Sequence, residues 1–133
     1  TDAPLIRTIL QSDFKGAGGG LQEQFYELKK ESLRFQTTVN KLKKEGRGDE
    51  LQAYFKNNEG LAKTRPEVLR LDRYMKNYRK VRRRIEIDEN LSPTAKKEML
   101  RDLDIQRNIR LAYVPELKKD ADLRGYITGL LRN

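Results

Sequence analysis

Residues 64 to 113 read TRPEVLRLDRYMKNYRKVRRRIEIDENLSPTAKKEMLRDLDIQRNIRLAY, and their periodicity decides the fold. Thr64, Pro66 and Glu67 form a capping-box pattern: the threonine oxygen serves an orphan amide, proline sits in the first turn, and the glutamate reaches back to the Thr64 N–H. A helix over 65–87 is expected. On a wheel at 100° per residue, Leu71, Tyr74, Met75, Val81 and Ile85 gather within roughly 60° of Tyr78. Arg73, Lys76, Arg79, Lys80, Arg83 and Arg84 fall on the opposite arc, and Arg82 flanks the apolar side.

The stretch Asp88-Glu-Asn-Leu-Ser-Pro93 makes a turn, with Ser92 as N-cap and Pro93 as first helical residue. Glu86, Asp88 and Glu89 lie beside this helix start, where the helix dipole favours negative charge. The returning helix, 93–114, carries Ala95, Met99, Leu103, Ile109 and Tyr113 on one side, interrupted by Gln106. So short a turn implies an antiparallel helical hairpin. Tyr74, Tyr78 and Tyr113 belong to its apolar side and read as core residues rather than as platforms for bases, because stacking platforms expose their aromatics.

Upstream, Leu21, Phe25, Leu28, Ser32, Phe35, Val39 and Leu42 recur at alternating steps of four and three, the repeat of a helix that packs along its length. Tyr26 and Leu33 widen the stripe, and Gly46 and Gly48 end this helix at about 45. A short helix over 49–58 follows, capped by Asp49, edged by Leu51, Tyr54 and Phe55, and stopped by Asn57, Asn58 and Gly60. At the N-terminal end, Leu5, Ile6, Ile9 and Leu10 make an apolar patch on a short helix begun by Pro4. Gly16, Gly18, Gly19 and Gly20 follow as a hinge, since the Gly-Lys-Ser/Thr ending of a phosphate loop and its preceding strand are missing. Pro115 ends or kinks the hairpin's second helix, and the tail carries a last apolar cluster of Tyr126, Ile127, Leu130 and Leu131. The expected organisation is a docking helix with a hinge over 1–20, a helical region over 21–114, and a C-terminal docking tail over 115–133.

Composition narrows the function. The 133 residues contain no cysteine, histidine or tryptophan, which removes disulfides, thiolate metal sites and the usual neutral-pH acid/base residue. No pair of carboxylates is set in an apolar pocket by the pattern, so neither a catalytic nor a metal site is expected, and no cofactor. Hydrophobic residues make up 36% and charged residues 37%, proportions that suit exposed helices with narrow buried stripes. The expected fold is all-α: extended helices and an antiparallel helical hairpin, non-compact and ordered by assembly with partners. Of the net charge of +9, +5 falls on residues 65–88, a bias toward phosphates, acidic lipids or acidic proteins. No run approaches the roughly 20 apolar residues of a membrane span. With no Met before Thr1, a fragment or processed product is expected.

The pattern QFYELKKE…FQTTVNKLKKEG…ELQAYFKNNEGLAK…LRLDRYMKNYRKVRRRIEIDENLSPTAKKEMLRDLDIQRN, over about residues 20–114, resembles the C-terminal helical region of large internal virion (core, or polyvalent) proteins of tailed, in particular short-tailed, bacteriophages. The resemblance is carried by Phe25-Tyr26, the short helix ending in Asn58-Glu59, and the turn Asp88–Pro93 leading into Lys96-Lys97-Glu98. It implies a structural segment of a DNA-ejection protein, located in the virion core on the portal and, after ejection, in the host periplasm and envelope. Its implied partners are other ejection proteins in a hetero-oligomeric ring or tube that forms a DNA conduit, with non-specific DNA contact. A lytic transglycosylase domain belongs elsewhere in such a parent chain. On this reading Leu21, Phe25, Leu28, Phe35, Val39, Leu71, Tyr78, Ile85, Ile127 and Leu130 pack against a partner. Arg79, Lys80, Arg82, Arg83 and Arg84 contact nucleic acid or an acidic partner. The alternative is a stand-alone basic helical nucleic-acid-binding module; a merely solvated charged face is the plain reading of the same residues.

Overall fold

The structure, a computed structural model, describes residues 20–123. The N-terminal apolar patch, the glycines before Gly20, and the C-terminal cluster with Ile127 and Leu130 lie outside the described residues. Among the described residues the chain is all-helical: α1 (Leu21–Lys44), α2 (Gly48–Asn57), α3 (Glu59–Ile87), α4 (Pro93–Leu111) and α5 (Val114–Ala121).

Helix α1 buries Leu21, Phe25, Leu28, Ser32, Phe35, Val39 and Leu42, every position of the four-three repeat. Tyr26 and Leu33, expected to widen the stripe, are instead exposed, because the partner helices cover only a narrow seam. At its end Gly46 takes φ 67°, a left-handed conformation that glycine adopts without steric cost. Arg47 N–H donates to Leu42 O at 3.0 Å and Gly46 N–H to Lys43 O at 3.1 Å, the paired bonds of a Schellman motif. The chain turns into α2, where Tyr54 stacks on Phe35 with ring centroids 5.6 Å apart and Phe55 meets it edge-on at 5.5 Å. Asp49 makes no capping bond there; it lies inside the first turn of α2, behind Arg47 at the N-cap.

Helix α3 starts at Glu59, six residues before the expected start. Thr64 is buried within it, and its hydroxyl donates to Gly60 O at 2.9 Å instead of capping. Pro66 is tolerated inside the helix on an exposed face, where the carbonyl deprived of its donor can turn to water. The cause lies across the fold: Gly60, expected as a stop, is pressed against α5, and its N–H donates to Leu123 O at 3.1 Å. A Cβ at Gly60 would stand 2.1 Å from Asp120 O and 2.8 Å from the Ala121 carbonyl. Glycine permits this crossing and so extends α3 upstream.

Beyond the C-terminal end of α3, Ser92 Oγ accepts from Ala95 N–H at 3.1 Å and Pro93 opens α4. Asp88 Oδ1 accepts from Asn90 N–H at 2.8 Å, and Lys96 Nζ donates to Glu86 O at 2.9 Å, closing the turn. The apolar side read for α4 is corrected: Met99, Ile109 and Tyr113 are exposed. The face turned inward carries Ile105, Arg107, Asn108 and Leu111, with Leu103 packed against the core. Arg107 occupies that face because it bonds to Tyr78 of α3, and Asn108 accepts from Arg107 beside it, which hydropathy does not register.

After Leu111 a turn through Ala112 and Tyr113 launches α5, with Leu117 N–H bonded to Tyr113 O at 3.1 Å and Pro115 in its first turn. This segment, expected as part of a docking tail, folds back onto the chain itself. Val114, Leu117 and Ala121 join Leu21, Phe25 and Leu28 of α1, Val68, Leu71, Met75 and Tyr78 of α3, and Leu111 of α4 in one core. The expectation of a non-compact object is therefore corrected: the described helices pack fairly compactly, because α5 closes the groove between α1 and α3.

Candidate functional site

The functional question rests on the basic side of α3 and on what lies between it and α4. Lys80, Arg83 and Arg84 are exposed and form no ion pair among the described residues. Arg79 is also exposed, but its Nη1 donates to the Tyr26 hydroxyl at 2.6 Å, tying α3 to α1. A second tie between these helices is ionic. Lys29 Nζ lies 2.8 Å from Asp72 Oδ1, and Lys76 Nζ lies 3.2 Å from Oδ2. Burial raises the Asp72 carboxyl, but the two lysines outweigh it and hold the group below its ordinary range.

Arg82, which flanks the apolar side on the wheel, separates from the basic residues with which it was expected to contact nucleic acid or an acidic partner. It is half-buried, its Nη1 bonded to Glu86, its Nε 3.3 Å from both Asp104 Oδ1 and the Tyr78 hydroxyl, and its Nη2 3.3 Å from Asp104 Oδ2. Burial lowers the affinity of this guanidinium for its proton; Asp104, Tyr78 and Glu86 together more than reverse that, so the net shift is upward. Tyr78 stands at the centre: its hydroxyl donates to Asp104 Oδ1 at 2.7 Å and accepts from Arg107 Nη1 at 2.9 Å. Burial, seconded by the Asp104 carboxylate, pushes the Tyr78 phenol above its ordinary value. The Arg107 guanidinium carbon lies 5.4 Å from the centroid of the Tyr78 ring, within cation–π range, and its Nε donates to Asn108 Oδ1 at 3.0 Å.

Between α3 and α4 this network floors a groove of ≈ 420 Å³ lined by Arg82, Lys97, Leu100, Arg101, Asp104 and Arg107. Sequence reading missed Asp104, Arg107, Lys97 and Arg101 as a group. The available signal was their 3–4 spacing along α4, which places 97, 101, 104 and 107 near one side of a helix.

Of the residues expected to pack against a partner, Ile127 and Leu130 lie outside the described residues, and the other eight are packed within the chain. Leu21, Phe25, Leu28, Phe35, Val39, Leu71, Tyr78 and Ile85 are all buried, so a partner could reach them only by opening this fold. Apolar surface left outside includes Leu33, Ile87 and Ile109, at 55%, 63% and 55% exposed. Among the described residues no group of three or more His, Cys, Asp or Glu could hold a metal, and no helix is long and apolar enough to cross a membrane.

The arrangement offers fixed positive charge along one helix and hydrogen-bond donors in one groove, which is the equipment for holding an oxyanion or polyanion. Comparison with protein-family models, with curated proteins and with solved structures finds no match.

Proposed function

We propose that this chain is a structural assembly segment of a phage internal virion protein that takes part in genome ejection, and that the exposed side of α3 contacts the DNA backbone without reading its sequence. The observation that carries the polyanion contact is the ridge of Lys80, Arg83 and Arg84, exposed and without an ion pair among the described residues, on the helix that holds most of the excess charge. Unpaired cations at helical spacing present charge to phosphates with no fixed donor geometry toward base edges, so their contribution is electrostatic. The assembly role rests on the resemblance over residues 20–114, and the exposed Leu33, Ile87 and Ile109 offer apolar contacts to a partner in place of the buried stripe. In this reading α3 and α4 act as an antiparallel hairpin that stiffens the ridge. The pairs 86–96, 82–104 and 78–107, which run in opposite directions along the two helices, support it.

A second reading, a stand-alone basic nucleic-acid-binding module, is favoured by the core that the described helices complete among themselves. One experiment addresses both. The chain is mixed with the other ejection proteins and with duplex DNA, and assembly is followed by mass while binding is followed against salt. A multi-chain complex together with salt-sensitive DNA binding is the result expected of the first reading. A monomer that ignores the other virion proteins yet binds DNA sinks the first and leaves the second; a chain that binds neither sinks both.

A further inference from the structure

The groove between α3 and α4 carries more positive charge than the fold uses. Arg82 and Arg107 form its floor and are held in place, Arg82 by Asp104 and Glu86, Arg107 by the Tyr78 hydroxyl and Asn108. Lys97 and Arg101 stand on its α4 side, exposed and with no ion pair among the described residues. Among the described residues four cations therefore face two carboxylates, Asp104 and Glu86, and two positive charges are left over.

The two floor guanidiniums differ from ordinary surface arginines. The Arg107 side chain is only 10% exposed and that of Arg82 34%, so their orientation is set before any ligand arrives, and the ordering cost of binding is reduced accordingly. Partial burial also weakens the screening that makes surface charge inexpensive. The groove, at ≈ 420 Å³, falls in the size range of small-molecule sites, and Leu100 supplies one apolar wall. The N–H groups that Arg82 and Arg107 do not spend on Asp104, Glu86, Tyr78 and Asn108, together with two exposed cations at the side, suit the oxygens and double charge of a phosphate group.

We infer that the α3–α4 groove is a binding site for a phosphate dianion, with Lys97 and Arg101 as its capturing cations and Arg82 and Arg107 as its fixed donors. The site is separate from the Lys80, Arg83 and Arg84 ridge and does not depend on what that ridge binds. The phosphate belongs either to a small phosphate compound or to the 5′ end of a nucleic acid strand, since both present the same dianion.

The test titrates the intact chain with orthophosphate, and with a short oligonucleotide bearing or lacking a 5′-phosphate, at constant ionic strength set with chloride, followed by calorimetry. Saturable binding of orthophosphate assigns the site to a small phosphate compound; preference for the 5′-phosphorylated strand without orthophosphate binding assigns it to the strand end. In either case the Lys97→Ala, Arg101→Ala double variant, altered only at exposed positions, is expected to weaken that binding at least about tenfold, as removal of two charge-assisted contacts implies. Lys80→Ala, Arg83→Ala and Arg84→Ala together are expected to leave it unchanged. Two outcomes overturn the site: no orthophosphate binding with equal affinity for the two oligonucleotides, or phosphate binding that survives in the Lys97/Arg101 variant while circular dichroism shows both proteins folded.

Discussion

Gly60 is the residue on which the crossing of α3 and α5 turns. A methyl group there meets backbone atoms of Asp120 and Ala121 at 2.1 and 2.8 Å, which no rotamer change can relieve. Gly60→Ala is expected to destabilise the fold by about 3 kcal/mol, at the upper end for overpacking, read as a lower urea midpoint; an unchanged midpoint would show that the crossing is looser than these distances require. Tyr78 is the second such residue. Tyr78→Phe keeps the ring in the core but strips the partly buried Asp104 of a donor and the buried Arg107 of an acceptor, and a loss of about 1–2 kcal/mol is expected. Asp72 sets part of the acid stability. Its folded pKa is lowered by Lys29 and Lys76 against the opposing pull of burial. Its contribution is thus fully present above the ordinary aspartate value of 3.8 and is lost as the pH falls through the lower folded value. Asp72→Asn should flatten the acid limb of an unfolding-versus-pH curve below that value, and an identical limb in both proteins would refute the assignment.

At the scale of the element, the helix ends are where local chemistry succeeds or is overruled. Ser92 succeeds, with Oγ accepting the Ala95 amide. Ser92→Ala should cost about 1 kcal/mol in a urea titration, whereas Ser92→Asp should cost nothing measurable. The Thr64 box is overruled. Its Thr-Arg-Pro-Glu run carries the right residues for a helix start, but the packing of α5 on Gly60 and the burial of Thr64 reward helix over 59–64 as well. Tertiary contact outweighs the loss of one backbone bond at Pro66. Helix α4 was the least legible element. A hydropathy stripe through Met99, Ile109 and Tyr113 points away from the face that is buried, because Arg107 and Asn108 are the residues that go inside. An arginine is placed in a core only where partners await it, and those partners, Tyr78 and Asp104, lie 29 and 3 residues away.

For the whole molecule, charge asymmetry is the property with functional weight. If the α3 ridge binds the DNA backbone, replacing Lys80, Arg83 and Arg84 by Ala should reduce the slope of log binding constant against log salt by up to about 2.7, at roughly 0.9 per phosphate contact. An unaltered slope would place the contact elsewhere. Arg82→Ala belongs to a different class of experiment: it breaks the tie between α3 and α4, so its effect should appear in stability before it appears in binding. The separation of Arg82 from its neighbours also makes the molecule's positive surface two features, a ridge that is open and a groove that is floored.

The sequence by itself determined the all-helical class, the seven-position seam of α1 and the polarity of α3. These follow from periodicity, which records which face of a helix avoids water. Only the tertiary structure decided that α5 folds back to close the core, that α3 begins at Glu59, and that Asp104 and Arg107 converge with Arg82 on Tyr78. The reason is physical: an apolar side chain announces its burial wherever it stands, whereas a buried arginine or a close-packed glycine is stable only in the presence of a particular distant partner.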